Sequence, residues 1–218
     1  MFHPSGVLCE ARVEPLADDP TLAAVAAALA GPALVRWSSA WWKRTERRDV
    51  LGCALRFGAD PLASTPRADA QDLLLATIQR PWSMFGAPWT TRQHDYLGNE
   101  YFGVSPFQVG ERRVEWRLVP ERSAPPGASR RERLARALAS GGATLRLELA
   151  DYHGPWRRPR DEDFRGVVRI VLSRLLDGDP ATLRFDPFRA GRGLVPVGFV
   201  HAMRRLTYAS SQHLRPTR

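Results

Sequence analysis

The run Val167-Val168-Arg169-Ile170-Val171-Leu172 is rich in β-branched residues, which fit the pleated surface of a sheet and cost rotamer freedom in a helix. It predicts a central strand. Working outward from it, buried and exposed positions alternate at Leu145, Leu147 and Leu149, along Val114 to Leu118, at Cys53, Leu55 and Phe57, and at Val7, Cys9, Ala11 and Val13. A period of two is the signature of half-buried strands. Helical periodicity is confined to Thr21 to Ala30, opened by Asp19-Pro20, to Arg130 to Ala139, preceded by Ser129 as cap, and to roughly 197–213. Strands in the middle with helices at the edges predict an α+β fold: an antiparallel β-barrel or strongly curved sheet with peripheral helices.

The chain of 218 residues, 44% of them apolar, can bury a substantial core, and residues 1–218 are expected to form a single domain. The Pro/Gly-rich stretches at Ser123 to Gly127 and Asp151 to Pro159 read as connecting loops. Neither a signal peptide nor a membrane span is supported: no basic start precedes an apolar run, and the longest apolar stretch, Leu22 to Leu34, is broken by Gly31-Pro32. Cys9 and Cys53 are too few for a disulfide framework and lack zinc-type spacing, which points to a reducing, cytoplasmic location. The formal charge of +9 is carried almost wholly by arginine. These arginines are spread along the chain rather than gathered in a stripe, so nucleic acid is not favoured as a partner and carboxylates or phosphates are the expected contacts. Self-association is left open.

Several chemistries are excluded by what is missing. Gly191, Gly193 and Gly198 miss the dinucleotide fingerprint by spacing, and no phosphate loop, nucleophile elbow or metalloprotease helix occurs. The five histidines, His3, His94, His153, His201 and His213, include no close pair at helical spacing, so a metal held by histidines alone is poorly supported. Redox chemistry could still arrive with a cofactor that needs one axial ligand and a shaped pocket.

A set of ordered segments resembles the haem catalase superfamily. His3-Pro4-Ser5-Gly6 ahead of the first strand resembles the family's histidine segment. Val35-Arg36-Trp37-Ser38 is similar to its Val-Arg-Phe-Ser, and 49–57 is similar to its Asp-Pro-Arg-Gly-Phe-Ala-Val-Lys-Phe. Asp72-Leu73-Leu74 resembles an Asp-Leu-Val that leads to a distal asparagine, a position held here by Thr77. Arg133-Leu134 through Ala137 and Gly141 resembles a helix-glycine-strand unit. Arg169-Ile170-Val171-Leu172-Ser173-Arg174 and Phe185-Asp186-Pro187 complete the series, and Tyr208 then falls within one residue of the family's haem-ligating tyrosine, with Arg204 and Arg215 on either side. The resemblance runs from His3 to Arg215, so the family's N-terminal arm and C-terminal helical region are not expected.

The resemblance implies ferric haem b ligated by Tyr208, with His3 on the peroxide face. It implies a peroxide-using oxidoreductase, or alternatively a haem-binding barrel without turnover, acting on peroxide and a small organic donor. Arg204, four residues before Tyr208, can share its helical face and favour the phenolate over the neutral phenol, which titrates near pH ~10. His3 would move protons as a general acid and base, Ser38 would orient its ring, and Thr77 stands where an amide donor is usual. Arg36 is expected on the face of its strand opposite Ser38, or reaching a haem propionate at the rim, and Arg215 is a second propionate candidate. Trp37, Trp41, Trp42, Trp82 and Phe85 read as core, with Phe85 the candidate apolar wall of a haem pocket.

Overall fold

The structure, a computed structural model, describes residues 6–16, 19–40, 46–58, 66–103, 105–157, 159–177 and 183–198. His3, Arg204, Tyr208 and Arg215 lie outside the described residues, as do Trp41 and Trp42 and nearly all of the expected helix at 197–213.

Among the described residues, ten strands and three α-helices follow one another in the order β1 (Gly6–Pro15), α1 (Pro20–Leu29), β2 (Gly31–Ser39), β3 (Leu51–Phe57), β4 (Gln71–Ala76), α2 (Ala87–Thr90), β5 (Tyr101–Gly103), β6 (Phe107–Val109), β7 (Arg112–Pro120), α3 (Arg130–Ala139), β8 (Ala143–Asp151), β9 (Arg165–Leu176) and β10 (Val195–Pro196). The sheet runs β7-β5-β4-β3-β2-β1-β9-β8, and β8 pairs back onto β7, so eight antiparallel strands close a barrel. Short β6 and β10 extend the wall beside β7. Closure removes the free edges that an open sheet would expose. Register shifts at Glu10/Ala11 and at Leu147/Glu148 mark bulges, which bend the long β9 around the wall.

An eight-stranded barrel has room inside for side chains and little else. Here alternate residues fill it: Val7, Cys9, Ala11 and Val13 from β1, Val35 and Trp37 from β2, Leu51 to Phe57 in steps of two from β3, and the equivalent positions of β7 to β9. Trp37, Trp116, Tyr101 and Phe57 are its largest fully buried side chains. Trp37 stacks on Tyr96 and meets Tyr101 edge-on, with ring centroids 5.5 Å and 5.1 Å away. The helices α1 and α3 close opposite ends, α1 inserting Leu22, Ala26 and Leu29 and α3 inserting Leu134 and Ala137. Both begin as their sequences require, with the Asp19 carboxylate accepting from the Thr21 N–H and the Ser129 hydroxyl from the Glu132 N–H. No helix among the described residues is long and apolar enough to cross a membrane.

Cys9 and Cys53 are buried, free thiols on the inner faces of β1 and β3. Burial pushes Cys9 up to about 12 and holds Cys53 well above the ordinary thiol range. An acid whose folded pKa is raised keeps a proton that the unfolded chain gives up. Stability is therefore expected to fall as pH climbs from about 9 towards 12. Below that window neither thiol should react with a thiol-specific reagent in the native protein, and both should react in denaturant. Rapid labelling of the native protein would contradict this packing.

Candidate functional site

With the barrel interior filled by side chains, chemistry belongs on its outside. Along β2 the residues not turned inward are Leu34, Arg36 and Ser38, and strand pairing lines each up with its neighbours. Ser38 lies between Gly6 and Gly52, with Ala76 beyond; Arg36 lies between Leu8 and Ala54, with Leu74 beyond; Leu34 lies between Glu10 and Arg56, with Asp72 beyond. The outer wall of β1 to β4 therefore grades from very small residues, through a row carrying one guanidinium, to a charged row.

Arg36 and Ser38 share this outer face, which corrects the expectation that they oppose one another. Residues two apart in a strand always point to the same side. Arg36 is half-buried and Ser38 buried. Gly6 permits this closeness, since a Cβ there would lie 2.4 Å from the Trp37 carbonyl oxygen and 3.3 Å from the Arg36 guanidinium carbon.

Leu34, Arg56 and Asp72 of the charged row are covered by a strap, 183–198. The Asp72 carboxylate accepts two hydrogen bonds from Arg56, at 2.7 and 2.9 Å, one from Arg189 at 2.6 Å, and one from the Asp186 backbone N–H at 2.8 Å. Arg56 also donates to the Arg184 carbonyl and lies under the Phe185 ring, 4.6 Å from its centroid. Leu8 and Leu34 pack with Leu176, Leu183 and Phe185 in a small second core. Further along, the buried Gln71 amide donates to the carbonyls of Arg189 and Leu194, and Arg192 donates to the carbonyls of Ala28 and Ala30 at the end of α1. The strap is thus hydrogen-bonded to β3, β4 and α1 and, through β10, to β6 before residue 198.

Thr77 has the parity of the inward-facing Leu73 and Leu75, so Ala76 and not Thr77 shares the Ser38 row. Its hydroxyl oxygen accepts from the Leu51 N–H at 3.1 Å and is 2.8 Å from the Thr91 hydroxyl. Since the Thr91 hydroxyl donates to the Ala87 carbonyl, the Thr77 proton is directed to Thr91. Phe85 ends a tight turn at Pro81–Phe85 and is 80% exposed, and Trp82 in the same turn is 47% exposed. The expectation that both belong to the core is corrected: the turn follows the end of β4, beyond the wall that would bury them. Trp37 does lie in the core. His94 stays exposed beside Glu46, and no cluster of three metal-ligating side chains occurs among the described residues.

The residues that sequence reading missed are Gly52, Ala54, Arg56 and Asp72. Arg56 in an otherwise apolar alternating strand was the available signal, because a buried arginine demands a carboxylate partner. An open cleft of about 360 Å³ between α1 and the β6–β7 hairpin holds none of the anticipated residues. Its two arginines, Arg112 and Arg192, are engaged by Asp151 and Asp69.

No family model matches the chain. No curated protein matches it either. Among solved structures, catalase A from Saccharomyces cerevisiae is similar, with a TM-score of 0.67 at 14% identity over 98% of this chain and 60% of that one. The barrel is therefore catalase-like in fold. The chain spans 60% of the length of that catalase.

The Arg56–Asp72 pair, 4% and 0% exposed, is the strap's anchor. Asp72→Ala leaves two arginines facing a hole and is expected to cost about 3–5 kcal/mol. Glu162→Gln, in an ion pair exposed on both sides, should change stability by less than about 1 kcal/mol. Denaturant unfolding measures both, and equal effects would remove the anchor role.

Proposed function

We propose that the chain holds one ferric haem b against the outer face of β1 to β4, with Tyr208 as the residue that would bind its iron, and uses it with peroxide. The observation that carries this reading is the outer wall itself: Gly6, Gly52 and Ala76 beside Ser38 leave a low surface for a flat group, bordered by a row of Leu8, Arg36, Ala54 and Leu74. A planar apolar macrocycle with carboxylate arms fits such a surface, since arginine pairs with carboxylates bidentately. The catalase-like fold supports the same reading.

Haem, when bound, supplies the oxidising chemistry towards peroxide. The protein's own part is to position and to move protons. Arg36 and Arg215 hold propionates. Arg204, four residues from Tyr208, favours its phenolate form. Neutral His3 takes a proton from one oxygen of peroxide and returns it to the departing one, and Ser38 orients the ring. Thr77, whose hydroxyl is engaged by Leu51 and Thr91, fixes the start of β3 beneath that face. A small phenolic donor or an organic hydroperoxide then suits the site better than rapid oxygen release, because removing one preorganised donor costs about 10²–10³-fold elsewhere.

A second reading, a haem-binding barrel without turnover, is favoured by one specific observation. Ala76 stands in the Ser38 row, and alanine has no side-chain donor.

Haemin reconstitution separates these readings. The wild type should give a high-spin ferric spectrum that Tyr208→Phe abolishes, and an unchanged spectrum in that variant would remove the ligand. Peroxide-dependent oxidation of a phenolic donor above free haemin, reduced about 10²–10⁴-fold in His3→Ala, supports the enzyme. Haem binding with no such activity supports the non-catalytic barrel.

A further inference from the structure

Five large apolar side chains stand exposed in two neighbouring segments: Trp82, Met84, Phe85 and Trp89 around the turn after β4, and Trp156 in the loop before β9, with exposures from 43% to 84%. The two segments form one built face. Trp82 stacks on Trp156 with centroids 4.9 Å apart, and Arg80 bridges beneath them, donating to Glu115 and to the Arg157 carbonyl. Arg48 lies over the Trp89 ring, 5.7 Å from its centroid. Arg47, Arg48 and Arg157 are all exposed. Of the acids nearby, Glu46 is turned away into contacts with His94 and the Arg130 N–H, and Asp161, Glu162 and Asp163, further along the loop of Trp156, are engaged by Arg117 and Arg160.

We propose that this face docks peripherally on the surface of an anionic lipid bilayer, the tryptophans, Met84 and Phe85 entering the headgroup boundary and the arginines meeting lipid phosphates. Indole rings settle at such boundaries because one edge is polar and the body apolar, and basic residues beside them gain from the negative surface potential. The net charge of +9 acts in the same direction. A second copy of the chain fits less well, since a two-fold contact would set arginine against arginine. Single-stranded nucleic acid fits less well too. It needs free ring faces for base stacking, whereas Trp82 and Trp156 cover one another and Arg48 covers Trp89.

The test uses the full chain with sedimented vesicles of phosphatidylcholine alone and of phosphatidylcholine mixed with phosphatidylglycerol. Binding is expected on the mixed vesicles, weakening as salt is added. The double variant Phe85→Ser, Trp89→Ser should bind about tenfold more weakly, with its melting temperature unchanged. The double variant Arg47→Gln, Arg48→Gln should lose most of the salt dependence, and Val195→Ser, an exposed apolar change on β10, should have no effect. Failure to sediment with mixed vesicles, equal binding to neutral ones, or indifference to Phe85→Ser, Trp89→Ser would each overturn the proposal. So would a dimer in sedimentation velocity that this variant dissociates, or tight binding of an oligothymidylate that it abolishes.

Discussion

The carboxylate of Asp72 sits where the barrel wall meets the strap, and with no exposed surface of its own it depends entirely on its partners. Two arginines and a backbone N–H satisfy it. Remove it, and Arg56 is left buried against a wall whose other side is a filled barrel. A buried pair of this kind is a weak source of net stability but a strong constraint on geometry, because every alternative seating of the strap strands a charge. Its effect here is to fix where the chain leaves the described fold: across β3 and β4, tied to Gln71, past the end of α1, to the short ladder of β10 with β6.

That constraint divides the outer wall into two parts with different characters. Leu34, Arg56 and Asp72 lie under the strap, which also packs on Leu8, whereas the Ser38 row is built from small side chains and the Arg36 row sets the guanidinium beside Ala54, with Leu74 beyond. The packed interior leaves no room for a ligand inside the barrel, and it is the small residues of the Ser38 row on which the proposed haem seat rests. Three of the segments that resemble catalases, 49–57, 72–74 and 185–187, meet at Asp72. Their order along the chain reflects a contact in space.

Much of this was legible from sequence, for a physical reason. Strands with one face in a packed barrel must alternate, so Val7 to Val13, Cys53 to Phe57, Leu145 to Leu149 and Val167 to Leu172 declared themselves. The caps Asp19 and Ser129 did likewise. β5, β6 and β10, of three, three and two residues, are too short to show any period. Trp82 and Phe85 misled because large aromatic residues are usually inside, while residues on a turn beyond a strand's end have nothing to bury them. The placing of Arg36 opposite Ser38 was an error of parity. The buried network around Asp72 joins residues more than a hundred positions apart, and no local pattern carries such a partnership.

The proposed seat of haem is the low outer wall between Arg36 and Ala76. Haemin titration of Ala54→Trp measures it directly, since Ala54 is a half-buried outward residue beside Arg36, and an indole there fills the surface without touching the barrel core. A melting temperature close to wild type together with loss of the haem absorption band is expected. A variant that is folded and binds haemin as tightly as wild type would contradict it.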